Sequence, residues 1–129
     1  MPGVIDLHLH TTASDGVCKP SELVDMAWRA GISTMSVTDH DTVASVAEVV
    51  ALTRDIGMGF VPGIEITAVH DGRDVHMLGY FIDPDSAPFA EFLERQTESQ
   101  HRRNRITVRA HVRGDQRVLR SLYLLAQWF

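Results

Sequence analysis

A single cysteine, Cys18, stands in the 129 residues, so no disulfide can form within the chain. No activating base neighbours it in sequence, and the thiol reads as incidental rather than nucleophilic. Long apolar runs are missing too. Although 44% of residues are hydrophobic, no stretch reaches the length a membrane span needs, and no basic segment followed by an apolar core opens the sequence. A cytoplasmic globular protein is therefore expected, without membrane contact, and the length suits one domain with one core. Internal repeats and low-complexity linkers are absent. So is any convincing Ser-His-Asp or Cys-His arrangement, which argues against a side-chain nucleophile.

Positive charge is scarce over most of the chain. Every acid except Asp115 lies before residue 101, beside only Lys19, Arg29, Arg54, Arg73 and Arg95, whereas residues 101–129 carry seven arginines. An acidic body is unusual for a protein that grips nucleic acid by phosphate neutralisation alone. It suits one whose positive charge arrives as bound cations.

The apolar pattern predicts an alternation of strands and helices. Residues 3–10 read as a first strand, with His8 and His10 on one face and Ile5, Leu7 and Leu9 on the other. Pro20 opens a helix over about 20–30, with Leu23, Val24, Ala27 and Trp28 at helical spacing and Gly31 as its stop. Ile32–Thr38 reads as a second strand. Asp41 or Thr42 is placed to cap a second helix from Val43, with Val43, Val46, Ala47 and Val50 as its stripe. A third strand is expected from Gly59 to about Val69, interrupted at Pro62-Gly63. This β-α-β-α-β order builds a parallel sheet with helices outside. Asp71-Gly72 then signals a hairpin to a strand over Val75–Ile82. Asp83–Ser86 is a turn capping a third helix, whose apolar face is Phe89, Phe92 and Leu93. From about Thr107 the pattern is lost.

Six polar residues fall at strand ends: His8, His10, Asp15, His40, Glu65 and His76. Nitrogen and carboxylate donors without thiolate are the set for a borderline-to-hard divalent cation. Each also has a plainer reading. An H-x-H can simply alternate on a strand, His40 can belong to a helix cap, Glu65 can sit at a solvated edge, and His76 can be a satisfied core histidine. Asp39 and Asp41 flank His40 and can orient its ring or cap a helix. His70 reads as a solvent residue, and nothing recruits His101 or His111.

The segments Asp6-Leu7-His8-Leu9-His10-Thr11, Ser14-Asp15-Gly16, Pro20-Ser21-Glu22-Leu23-Val24, Thr38-Asp39-His40-Asp41-Thr42, Pro62-Gly63-Ile64-Glu65-Ile66 and His76-Met77-Leu78-Gly79-Tyr80 closely resemble the polymerase-and-histidinol-phosphatase (PHP) family of metal-dependent phosphoesterases. The resemblance runs from about residue 4 to residue 105. It implies an α/β fold, a distorted TIM-like β/α barrel of seven strands, with two or three divalent ions, manganese, zinc or iron. By that analogy His8, His10 and Glu65 hold a first ion, Glu65 bridges to a second that also takes His76, and Asp15 with His40 serves a third. The wording around Ser-Asp-Gly and Gly-Ile-Glu-Ile is most similar to members that act on nucleoside 3′,5′-bisphosphates or trim short RNAs from their 5′ ends. The expected nucleophile is then hydroxide on a cation.

The family's later ligands, a further histidine and an Asp-x-His pair, have no counterpart here, since Asp115 is followed by Gln116-Arg117. The expectation is a truncated or frame-shifted member. Residues 1–106 would be the N-terminal part of the domain, about the first four strands, and 107–129 a divergent, irregular arginine-rich tail. An incomplete barrel leaves an open sheet edge through which chains could self-associate. The tail also reads as an arm for RNA or a partner, anchored by Leu122–Leu125 and Trp128-Phe129. Two alternatives to the nucleotide phosphoesterase stay open: a non-catalytic metal-binding or interaction module, and a phosphatase of small molecules such as histidinol phosphate.

Overall fold

The computed structural model describes residues 3–71, 73–101 and 125–126. Its first sheet is parallel: β1 (Val4–Leu9), β2 (Ile32–Val37) and β3 (Gly59–Phe60) lie side by side in that order. The helices α1 (Pro20–Arg29) and α2 (Val46–Asp55) form the crossovers. Pro20 stands in the first turn of α1, where its missing N–H costs nothing, and the Glu22 carboxylate accepts the Lys19 N–H at 2.9 Å. Met35 and Val37 of β2 pack with Val24, Ala27, Val49 and Met58 into the first core. Full burial of each of these valine and methionine side chains contributes about 1.5–3 kcal/mol. Trp28, expected on the inner stripe, is 52% exposed. Val24 and Ala27, one turn apart, are the buried residues of that helix.

Helix α2 starts later than the sequence suggested. Ser45, not Asp41 or Thr42, occupies the N-cap, and the buried face is Val46, Val49 and Thr53. Counting from Val43 set the wrong phase, because Val43 precedes the helix and packs on a second core; Ala47 and Val50 face outward.

The strand expected over 59–69 is two strands in different sheets. After β3 the chain still hydrogen-bonds to β2 through Val61 N–H and Met35 O at 3.0 Å. Beyond Pro62 it becomes β4 (Gly63–His70), which pairs antiparallel with β5 (Arg73–Tyr80) from Gly63 opposite Tyr80 to His70 opposite Arg73. His70 and Arg73 pair at the end of the hairpin, and Asp71 after β4 takes the positive φ of 50° that an Asp-Gly turn needs at its first central residue. Gly63 allows the sheets to meet: a Cβ there would lie 2.4 Å from Ser36 Oγ. One parallel bridge, His40 to Glu65, joins β4 to the extension of β2, with Glu65 N–H donating to Asp39 O at 3.2 Å and Asp41 N–H to Glu65 O at 2.9 Å.

Helix α3 (Ala87–His101) covers the second sheet, with Phe89 buried against Ile64, Ile66 and Ile82, and Phe92, Leu93 and Val43 packed around them. Gln96, further along the helix, is 4% exposed and donates Nε2–H to Thr67 O at 2.5 Å. Within the stretch expected to be irregular, Leu125–Ala126 form β6 on the far side of β5. The rest of 107–129 lies outside the described residues. The fold is thus mixed α/β, with two three-stranded sheets, and among the described residues the strands do not close a barrel. No helix there is long and apolar enough to cross a membrane.

Candidate metal centre

Strand alternation puts Glu65 and Thr67 on the same face of β4 as His76 on β5, because Thr67 pairs with His76. The bridge beside Glu65 brings in His40, and β1 supplies His8 and, just past its end, His10. All four rings converge on one carboxylate. Glu65 Oε2 lies 2.9 Å from His8 Nε2, 3.1 Å from His10 Nε2 and 3.7 Å from His40 Nε2, while Oε1 lies 2.8 Å from His76 Nδ1. Asp15 reaches the same cluster from the loop after β1, 3.2 Å from His10 Nδ1 and 3.6 Å from His40 Nε2.

Glu65 is only 4% exposed. Burial by itself would raise its pKa, but hydrogen bonds with His8 and His76 and the nearby charges of His40 and His8 outweigh that cost and hold the carboxyl below its usual 4.5. Above it, the side chains of His8 and His76 are about half exposed and Asp15 is at the rim. The cluster therefore has a buried anionic floor and an open side. Tyr80 lies below, its hydroxyl donating to Leu7 O at 3.0 Å, and burial together with the Glu65 and Asp6 charges pushes the phenol pKa up.

The residues around the cluster set ring orientation. Thr67 Oγ1 lies 3.3 Å from His40 Nδ1, which leaves Nε2 toward Glu65, and Asp41 Oδ1 accepts the Thr67 N–H at 3.0 Å. Asp39 orients no ring. Its buried carboxylate accepts hydrogen bonds from Thr11 and Ser14 in the Asp15 loop and from Ser45 ahead of α2. Thr67 escaped the sequence reading, although its period-two spacing from Glu65 was the signal available. His70 is exposed beside Asp71, as expected for a solvent residue. His111 and the His101 side chain lie outside the described residues.

Donor chemistry fits a divalent cation. Among the described residues, three groups offer one ligand atom per residue with all atoms within 4.8 Å of one another: His8, His10 and Glu65; His10, Asp15 and His40; His40, Glu65 and His76. His10 Nδ1 is buried and makes no hydrogen bond, despite Asp15 at 3.2 Å. A buried imidazole nitrogen that makes no hydrogen bond is costly unless something else binds it.

A family model for the PHP domain matches residues 6–124. The chain belongs to the PHP domain family. Among PHP relatives, the 5′-3′ exoribonuclease Rnm of Salmonella typhimurium is 36% identical over 117 residues, which is 86% of this chain and 40% of that protein. The 3′,5′-nucleoside bisphosphate phosphatase of Chromobacterium violaceum is 34% identical over 101 residues, 78% of this chain and 35% of that protein. A solved structure described as a metal-dependent phosphoesterase, from Bifidobacterium adolescentis, superposes with a TM-score of 0.71 at 31% identity, over 88% of this chain and 40% of the other. This PHP chain spans about two-fifths of the length of the relatives it matches.

Proposed function

We propose that this chain carries the first part of a metal-dependent phosphoesterase site that hydrolyses phosphate esters of nucleotides or short RNA. The observation that carries the reading is the sharing of one buried carboxylate, Glu65, among His8, His10, His40 and His76. The proposed ligand sets are His8, His10 and Glu65 for a first ion, Glu65 and His76 for a second, and Asp15 with His40 for a third. His40 is also within reach of the second set and His10 of the third. Manganese, zinc and iron all accept such nitrogen and oxygen donors. When bound, these ions supply acidified water and positive charge against phosphoryl oxygens.

The protein's own part is placement. Glu65 holds negative charge at the floor, His8 and His76 frame the open side, and Thr67 keeps the His40 ring turned inward. A phosphorylated substrate, nucleotide or short RNA as the relatives' names indicate, would enter from that side. In this reading β1 to β5 are the first part of a β/α barrel of seven strands, residues 1–106 carry them, and 107–129 are a divergent arginine-rich tail whose Leu125–Ala126 segment adds to the edge of β5. The outer edge of β1, with Val4 and Ile5 exposed, is where a second copy would pair.

The test begins with the metal content of purified full-length chain beside its His8→Ala variant. Wild-type protein should retain manganese, zinc or iron, and the variant should retain less. Hydrolysis is then followed with manganese on an aryl phosphate, a nucleoside 3′,5′-bisphosphate and a 5′-phosphorylated oligoribonucleotide. Equal metal in both proteins removes the assignment. Bound metal without turnover on any substrate leaves a binding module in place of an enzyme.

A further inference from the structure

Asp39 lies one residue before His40, but its carboxylate makes no contact with the cation groups described above. It is 1% exposed, and the four hydrogen bonds to its carboxylate come from three residues, none of them charged. Oδ1 accepts from Thr11 N at 2.7 Å and Ser14 Oγ at 2.9 Å, and Oδ2 from Thr11 Oγ1 at 2.8 Å and Ser45 Oγ at 2.5 Å. A buried carboxylate needs such donors to offset its lost hydration. Two of these partners, Thr11 and Ser14, belong to the loop that ends in Asp15, and the third, Ser45, is the residue before α2.

Within that loop, Thr11 is the inner knot. Its carbonyl accepts from Ser14 N–H at 3.1 Å and Gly16 N–H at 2.9 Å, and its Oγ1 accepts from Ala13 N–H at 3.0 Å. Gripping Thr11 and Ser14 therefore fixes both ends of the turn that presents Asp15 toward His10 and His40. Asp15 itself is exposed, and apart from His10 and His40 its carboxylate takes a long contact of 3.4 Å from the Ser14 hydroxyl. We propose that Asp39 is a positioning residue that sets where Asp15 stands, and so governs the His10, Asp15 and His40 group without touching a cation. The inference rests on the metal reading above and extends it to a residue outside the ligand set.

Reversing a donor discriminates charge from geometry. Thr11 N–H can only donate, so an Asn at 39 must keep its oxygen there, and its amide then faces two hydroxyls that can rotate to accept. Asp39→Asn should preserve the grip, and Asp39→Ala should release it. Ser14→Ala cuts the loop-side link to Asp39 at 2.9 Å, together with the long 3.4 Å contact of the same hydroxyl to Asp15, and guards against a misfolded Asp39→Ala.

The experiment uses the full chain with manganese as the probe, each variant alone and combined with Asp15→Asn. Asp39→Ala and Ser14→Ala should weaken manganese binding, Asp39→Ala by about tenfold, as for other residues that orient ligands, while Asp39→Asn restores it to within about threefold. Neither alanine variant should weaken binding further once Asp15 is Asn, because both act through that side chain. In metal-free protein the amides of residues 11–16 should exchange faster in both alanine variants. Losses that multiply with Asp15→Asn, or unchanged exchange across 11–16 in both variants, overturn the proposal. Wild-type chain that binds no manganese overturns the metal reading instead, and the exchange measurement still decides whether Asp39 positions the loop.

Discussion

Replacing Glu65 by Gln keeps the shape of the side chain and removes its charge from beneath four imidazoles. Orienting residues around metal ligands change affinity by about 10–100-fold, and the shared carboxylate should lie at or beyond the upper end. Manganese titration of Glu65→Gln should therefore show on the order of 100-fold weaker binding, with the fold retained by circular dichroism. Acidity provides a second check. Because the folded protein holds the Glu65 pKa below 4.5, the unfolded chain takes up its proton first as pH falls. The stability this group contributes is present above that value and disappears as pH drops through the depressed pKa. Metal-free wild type should lose stability along this acid limb in urea titrations, and Glu65→Gln should show a shallower one.

At the scale of elements, the loop between β1 and α1 is the part most dependent on a missing side chain. A Cβ on Gly16 would lie 2.3 Å from His10 O and 2.7 Å from Thr11 N, both backbone atoms that cannot swing aside. Gly16→Ala must therefore push the loop off the end of β1, carrying Asp15 away from His10 and His40. The expected outcome is a lower melting temperature together with weaker manganese binding, and no additional loss of binding in the Asp15→Asn background. An Ala substitution that leaves both measurements unchanged would show that the loop does not fold back on His10.

Across the whole molecule, the candidate ligands come from both sheets: His8 and His10 from β1, His40 from the end of β2, Glu65 and His76 from β4 and β5. The backbone link between the sheets at this point is one bridge, His40 to Glu65. A cation held by these residues joins the sheets, so it should bind the folded state and not the unfolded one. At a hundredfold excess over its dissociation constant that amounts to about 2.7 kcal/mol. Thermal unfolding should accordingly move upward with manganese and return on addition of a chelator. Equal melting temperatures with and without metal would mean that the cluster does not span the two sheets in solution.

How much of this was legible beforehand differs from residue to residue. The H-x-H of β1, the Asp-Gly turn, the start of α1 at Pro20 and the grouping of six candidate ligands follow from local rules of alternation, turn chemistry and donor type, which need no partner to be known. The phase of α2 did not, because Val43 has the same apolar character whether it opens a helix or packs under α3, and only packing distinguishes the two. Nor did the break between β3 and β4: Pro62-Gly63 signals an interruption, but a change of sheet depends on Gly63 leaving room for Ser36. Asp39 was legible as a neighbour of His40 able to orient its ring or cap a helix, and Gln96 only as a polar residue. What tertiary structure decided is where their hydrogen bonds go, since a buried carboxylate or amide takes its meaning from donors and acceptors that lie far away in the chain.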